Sequence, residues 1–157
     1  MNTLTFRTAE RKDTALILRF IKELADYEKM LDQVVADEAT LETWLFDKQK
    51  AEVLFAVEDG KEIGFALFFH SFSTILGRGG LHLDDLYIRP EYRGKGYGKE
   101  AMELLCGFCF REMNLHKLRV SVFAFNEPAV RCYLSCGFHE EGRLEKELWR
   151  DGAYRDV

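Results

Sequence analysis

Apolar side chains recur along the chain with two periods, and the changes between them mark the elements. Leu4 to Arg7 alternate apolar and polar, which predicts a short first strand. Ile17, Phe20, Ile21 and Leu24 then fall on one helix face, with Asp13 placed to cap the start. Asp37 is a second candidate cap, before a helix with Leu41, Trp44 and Leu45 on its buried side. Val53 to Val57 reads as a strand, and Asp59-Gly60 as a hairpin turn. The return from Ile63 to Phe72 is nearly continuous in apolar residues, which predicts burial on both faces. Ser73 to Gly80 reads as a loop, and Leu81 to Ile88 as the next strand, ended by Pro90.

Helical spacing returns from Gly98 to Met113, where Ala101, Leu104, Leu105 and Phe108 share a face. Leu118, Val120, Val122 and Ala124 alternate again as a strand. Pro128 suits the first turn of a helix over Ala129 to Ser135, and Gly137 suits its end. Gly142 to Trp149 predicts a strand, followed by a second hairpin signal at Asp151-Gly152 and the stub of a last strand. The order is β-α-α-β-β-β-α-β-α-β. Three consecutive strands imply an antiparallel half, and Leu81 to Ala124 implies a parallel pair with a crossover helix. The expectation is an α+β fold, with residues 1–157 as one domain.

Composition narrows the function. The chain has 157 residues, 47% hydrophobic and 31% charged, with a net charge of −5. That balance disfavours a partner that is nucleic acid or an anionic membrane. No apolar run reaches the ~18 residues of a membrane span. The opening Met1-Asn2-Thr3-Leu4-Thr5-Phe6-Arg7 has no apolar leader core, and the four cysteines carry no secretory context, so a cytoplasmic protein with free thiols is expected. The charge is also unevenly spread. Arg89, Arg93, Lys95 and Lys99 stand against Glu91 alone, whereas Glu23, Asp26, Glu28, Asp32, Asp37, Glu38 and Glu42 stand against Lys29 alone. One island suits an anion and the other a cation.

The basic island coincides with a glycine-rich strand-to-helix loop, Arg93-Gly94-Lys95-Gly96-Tyr97-Gly98-Lys99. Such a loop brings backbone N–H groups and a helix dipole to bear on phosphate. A Walker A loop would need glycine at position 93 and a hydroxyl at 100, where the chain has Arg93 and Glu100. A Rossmann fingerprint would need glycine at position 99, where the chain has Lys99. The pattern that fits is Arg/Gln-x-x-Gly-x-Gly/Ala, met by Arg93, Gly96 and Gly98.

With this loop, Asn126-Glu127-Pro128-Ala129, Tyr133 and Cys136-Gly137-Phe138 in order, the chain resembles the GNAT superfamily of N-acetyltransferases over nearly its whole length. The resemblance implies a three-layer α/β/α arrangement whose mixed, mostly antiparallel sheet splays between the fourth and fifth strands. It implies acetyl-CoA as cosubstrate, its pantetheine arm along Leu86, Tyr87 and Ile88 and its pyrophosphate on the loop from Arg93 to Lys99. Asn126 and Ala129 would hold the arm from the far side of the split. Tyr133 would be the general acid, and Asp84 the base or the anchor of a water chain, leaving Asp85 structural. Ile17 to Met30, with Gln33-Val34 and Leu83-Asp84-Asp85, resembles the diamine (spermidine/spermine) acetyltransferases most closely. That likeness places Tyr27, Glu28 and Asp84 at the acceptor.

The expected activity is direct transfer of acetyl to a primary amine of a cationic small molecule, a polyamine or a lysine-like amino acid. A protein N-terminus or lysine is the alternative acceptor, since the last third resembles ribosomal-protein acetyltransferases. A non-catalytic CoA-binding regulatory module is the alternative of another class. Cys106 and Cys109 sit inside a predicted helix, where packing outweighs redox chemistry. No His or Cys spacing suits a metal, so none is expected. The chain ends where a last strand would run on, which motivates the expectation of a homodimer.

Overall fold

The computed structural model describes residues 4–157; Met1 to Thr3, the start of the stretch read for a leader, lie outside the described residues. Strand β1 (Thr5–Thr8) precedes helices α1 (Thr14–Tyr27) and α2 (Glu38–Glu42). Strands β2 (Glu52–Glu58), β3 (Lys61–Ser73) and β4 (Arg78–Ile88) follow, then helix α3 (Tyr97–Gly107), strand β5 (Leu118–Val120) and helix α4 (Glu127–Ser135). A hairpin of β6 (Leu148–Arg150) and β7 (Ala153–Arg155) comes last. β1 to β5 form one sheet in chain order, antiparallel except for the parallel β4–β5 pair. The α+β, mostly antiparallel expectation therefore holds.

Two helical layers cover the sheet. On one face Ile17, Phe20 and Leu45 pack on Val53, Phe55, Phe65 and Tyr87. Phe20 is fully buried and stacks on Phe65 with ring centroids 5.7 Å apart. On the other face Met102, Leu105, Cys109 and Tyr133 pack on Ala66, Phe68, Leu81, Leu83 and Leu118. Burial pushes the Cys109 thiol up to about 11, the behaviour of a packing residue. Asp37 caps α2, accepting the Thr40 N–H at 2.8 Å. The Asp59-Gly60 and Asp151-Gly152 pairs, all with positive φ, turn their hairpins as expected.

Several local expectations are overturned. The loop read over Ser73 to Gly80 shrinks to a turn, because β3 continues to Ser73 and β4 begins at Arg78. Gly80 lies within the strand, where a Cβ would come within 2.7 Å of Ser71 Oγ and 3.1 Å of the Lys117 carbonyl. The overhang is not buried on both faces: Phe69 and Phe72 are exposed. Trp44 is exposed too, beneath the Lys48 ammonium rather than in the core. Asp13 does not cap α1; its carboxylate accepts from Arg7 at 2.8 and 3.1 Å. The strand read from Gly142 to Trp149 is regular only over Leu148–Arg150. The strand read from Leu118 to Ala124 pairs with β4 only as far as Val120. Beyond that point the two strands part.

Candidate active site

The parting of β4 and β5 creates the cleft. Parallel pairing runs from Leu81 opposite Leu118 to Leu83 opposite Val120, and then stops. At the same level β4 carries a bulge: Phe68 faces Leu83 and Leu67 faces Asp85, so Asp84 is the extra residue. Past the bulge Leu86, Tyr87 and Ile88 keep their pairing to Ala66, Phe65 and Gly64 of β3. Their other edge faces the split, where an extended ligand could pair as an added strand.

The glycine loop closes one end of this cleft. Gly94 and Gly96 have φ of 75° and 80°, and a Cβ at either would meet nothing within 4 Å. They are needed for backbone conformation, not for lack of space. Gly96 precedes α3, whose first regular bond is from the Glu100 N–H to the Gly96 carbonyl. The N–H groups of Tyr97, Gly98 and Lys99 are thus left without an intrahelical acceptor. The side chains of the island divide. Arg89 is spent on Glu23, with both bonds at 3.1 Å, and lies over the Phe20 ring. Arg93 folds back, its Nε donating to the Ile88 carbonyl at 2.7 Å and its guanidinium over the rings of Tyr27 and Tyr87. Tyr97 is buried with its hydroxyl on Glu58, which pushes its pKa up to about 12, so only its N–H is available to the loop. Lys95 and Lys99 remain exposed.

Tyr133, on α4, is buried on the α3/α4 side of the sheet with Leu83, Met102, Leu105 and Leu118. Asn126 caps that helix, accepting the Ala129 N–H at 3.4 Å. The far end is held by the Cys136-Gly137-Phe138 signature. Gly137, with φ of 92°, donates its N–H to the Leu134 carbonyl, and Phe138 donates to the Tyr133 carbonyl. This is a Schellman termination, and it sets the Phe138 ring edge-on to Tyr133 with centroids 5.8 Å apart. The Cys136-Gly137-Phe138 run is therefore a clamp on Tyr133. Burial, then the charges of Cys132, Asp85, Glu28 and Cys136, holds the phenol above its ordinary pKa, so it stays protonated.

The bulge decides which aspartate is perturbed. Leu83 faces the α3/α4 layer, but past the extra residue it is Leu86 and Ile88 that do so. Asp85 and Tyr87 are thereby turned towards the α1 layer. Asp84 is exposed. Asp85 is largely buried, and burial, then the charges of Asp84 and Glu28, pushes its carboxyl up to about 7. Glu28, at the end of α1, is likewise raised by burial and lowered by Arg150. Glu28 thus acts electrostatically on Asp85, and both act on Tyr133, while the Tyr27 ring lies under Arg93 beside the loop. Sequence reading missed the weight of Asp85 and all of Arg150. The paired aspartates were a signal for the first; a charged residue at an inward strand position was one for the second.

Among the described residues no cluster of three or more His, Cys, Asp or Glu could hold a metal ion. No helix there is long and apolar enough to cross a membrane. A profile of the acetyltransferase (GNAT) family matches residues 18–138. The chain belongs to the GNAT family. It is 34% identical over 158 residues to a thialysine N-epsilon-acetyltransferase of Bos taurus, covering 95% of this chain and 91% of the relative. A spermidine N(1)-acetyltransferase of Vibrio cholerae is 39% identical over 72 residues, 46% of this chain and 42% of that one. A solved spermidine N-acetyltransferase chimera from Vibrio cholerae and hSSAT superposes with a TM-score of 0.79 at 27% identity, over 98% of this chain and 90% of that one. The GNAT fold, with its parallel β4–β5 pair, and an N-acetyltransferase activity follow for this chain.

Proposed function

We propose that this GNAT enzyme transfers acetyl from acetyl-CoA directly to the primary amine of a small cationic acceptor, a lysine-like amino acid or a polyamine. The observation that carries the reading is the electrostatic coupling of a raised carboxyl (Asp85), a half-buried acid (Glu28) and a protonated phenol (Tyr133), with Asp85 on the strand that borders the split. Burial raises both groups, so Asp85 is brought near neutrality, where it can take a proton, while Tyr133 keeps one to give. The residues also fit the cosubstrate: N–H groups at Tyr97 to Lys99 with Lys95 and Lys99 suit the pyrophosphate, and the split-facing edge of Leu86 to Ile88, where Arg93 holds the Ile88 carbonyl, suits an extended arm. When bound, acetyl-CoA supplies a thioester carbonyl open to attack by an amine.

The acceptor arrives as ammonium, with a reference pKa near 10.4. Glu28 and Asp84 attract that cation, and Asp85 accepts its proton directly or through one water. The Tyr133 hydroxyl donates its proton to the departing sulfur. Asn126 and Phe138 keep α4 and its phenol in register. The four free cysteines suit a reducing cytoplasm. A homodimer is part of the same reading, supported by the exposed Trp149–Tyr154 pair on the terminal hairpin. That hairpin joins the segment after β5 through the Ala124 N–H to Asp156 carbonyl bond. Thiol release from acetyl-CoA across polyamines, lysine-like amino acids, aminoglycosides and short peptides tests the proposal. Small amines should be the best acceptors; activity confined to peptides would overturn it.

A further inference from the structure

The terminal hairpin carries a charge where its pattern calls for an apolar residue. Along β6, Leu148 is half-buried, Trp149 exposed and Arg150 buried, so Arg150 occupies an inward position. Its side chain is only 8% exposed, and its Nε and Nη1 have no hydrogen-bond partner among the described residues. The Asp151 carboxylate comes within 3.5 Å of Nε without forming a hydrogen bond, and its own side chain is 66% exposed. The guanidinium lies 4.5 Å from the centroid of the Phe125 ring, which supports its flat face and satisfies neither Nε nor Nη1. A buried guanidinium left in that state is costly, and an anionic ligand is its natural complement.

Its surroundings say where such a ligand would lie. Phe125 precedes Asn126 and α4, which carries Tyr133. Arg150 acts electrostatically on Glu28, and Glu28 acts on both Asp85 and Tyr133. A purely cationic acceptor has no group for Arg150. An amino acid with a side-chain amine has one: its carboxylate meets the guanidinium while its ammonium groups meet Glu28 and Asp85.

We infer that Arg150 reads the carboxylate of the acceptor, and that the enzyme prefers a lysine-like amino acid to a polyamine. The inference rests on the acceptor reading above and names the substrate class within it. A carboxylate also fits better than a phosphate, whose second charge would face Glu28.

The test compares L-lysine, L-lysinamide and 1,5-diaminopentane as acceptors for the wild type and for Arg150→Met, with acetyl-CoA KM measured alongside. The wild type should favour lysine over lysinamide by about 10- to 100-fold in kcat/KM, the range of a lost charge-assisted bond. Arg150→Met should abolish that preference, leave diaminopentane within about 2-fold and leave the acetyl-CoA KM unchanged. Equal use of lysine and lysinamide by the wild type would overturn the inference. So would an equal loss on all three acceptors in the variant, or a raised acetyl-CoA KM. Should Arg150→Met fail to fold, the wild-type comparison still decides, and Arg150→Lys should restore part of the preference. Failure of the folded wild type to acetylate any primary amine would instead remove the acceptor reading, and this inference with it.

Discussion

The glycine-rich loop proposed for the cosubstrate and the proposed acceptor end of the split are built differently. The loop runs unbroken from Arg89 to Lys99, and much of its anion site is backbone: glycines with positive φ and the open N–H groups of α3. The acceptor end is assembled from α1, β4, α4 and β6, one titratable or charged side chain from each, with Asp84 beside Asp85. The loop's side chains are largely committed elsewhere, Arg89 to Glu23 and Arg93 to Ile88. The acceptor end depends on single side chains, three of which, Glu28, Asp85 and Tyr133, burial holds above their ordinary pKa. A backbone site spreads its function over many donors, whereas an assembled site concentrates it in a few groups. Single substitutions should therefore hurt most at the acceptor end.

Tyr133→Phe is expected to have the largest effect. The loss of the proton donor should lower kcat by about 10²- to 10³-fold, with acetyl-CoA KM within about 3-fold. An unchanged kcat at all pH values would remove Tyr133 from the chemistry. Asp85→Asn should lower kcat/KM for the acceptor by about 10²-fold, and Asp84→Asn by less than 10-fold.

The same Asp85 variant should change stability in a pH-dependent way. The folded carboxyl titrates near 7 against about 3.8 unfolded, so the folded state holds the proton more tightly. Wild-type stability from this group is intact below pH about 4 and is lost as pH rises towards and through 7. Asp85→Asn should thus raise Tm at pH 8, by up to about 4 kcal/mol in stability, and change little at pH 4. Equal shifts at both pH values would show that burial of Asp85 is not the cause.

At the loop, Gly96→Ala should raise acetyl-CoA KM by about 5- to 30-fold through the ~1–2 kcal/mol cost of a left-handed alanine. Acceptor KM should not follow it. The smallest effect on turnover belongs to Glu23→Gln. It breaks the pair with Arg89 and should cost about 1–2 kcal/mol of stability. Acceptor KM should stay within about 2-fold, since Glu23 is an internal partner and not part of an acceptor-attracting surface; a large rise would return the whole acidic segment to the acceptor.

This contrast also explains what the chain revealed before folding. The loop was legible because its residues are contiguous and its glycine spacing rejects other phosphate loops. Tyr133 was legible through the Asn126 and Gly137-Phe138 signatures, whose capping and Schellman roles are local. The acidic segment was legible only as net charge, because charge along the chain does not say which acids are already paired: Glu23 serves Arg89, Asp37 caps α2 and Glu42 meets Arg11. Of that run, Glu28 acts on Asp85. Asp85 was hidden by the bulge, which resets the alternation of β4 and has no local signature in Leu81 to Ile88. Arg150 was hidden because a charge beside Asp151-Gly152 looks solvated until the hairpin is seen to bury it.

The central claim is that Asp85 and Tyr133 form the acid–base pair of this acetyltransferase, and the pH dependence of kcat/KM for a lysine acceptor tests it most directly. The account predicts a rise through an apparent pKa near 7 that is present in the wild type and in Asp84→Asn and lost in Asp85→Asn. A rise that survives in Asp85→Asn, or disappears with Asp84→Asn instead, would contradict it.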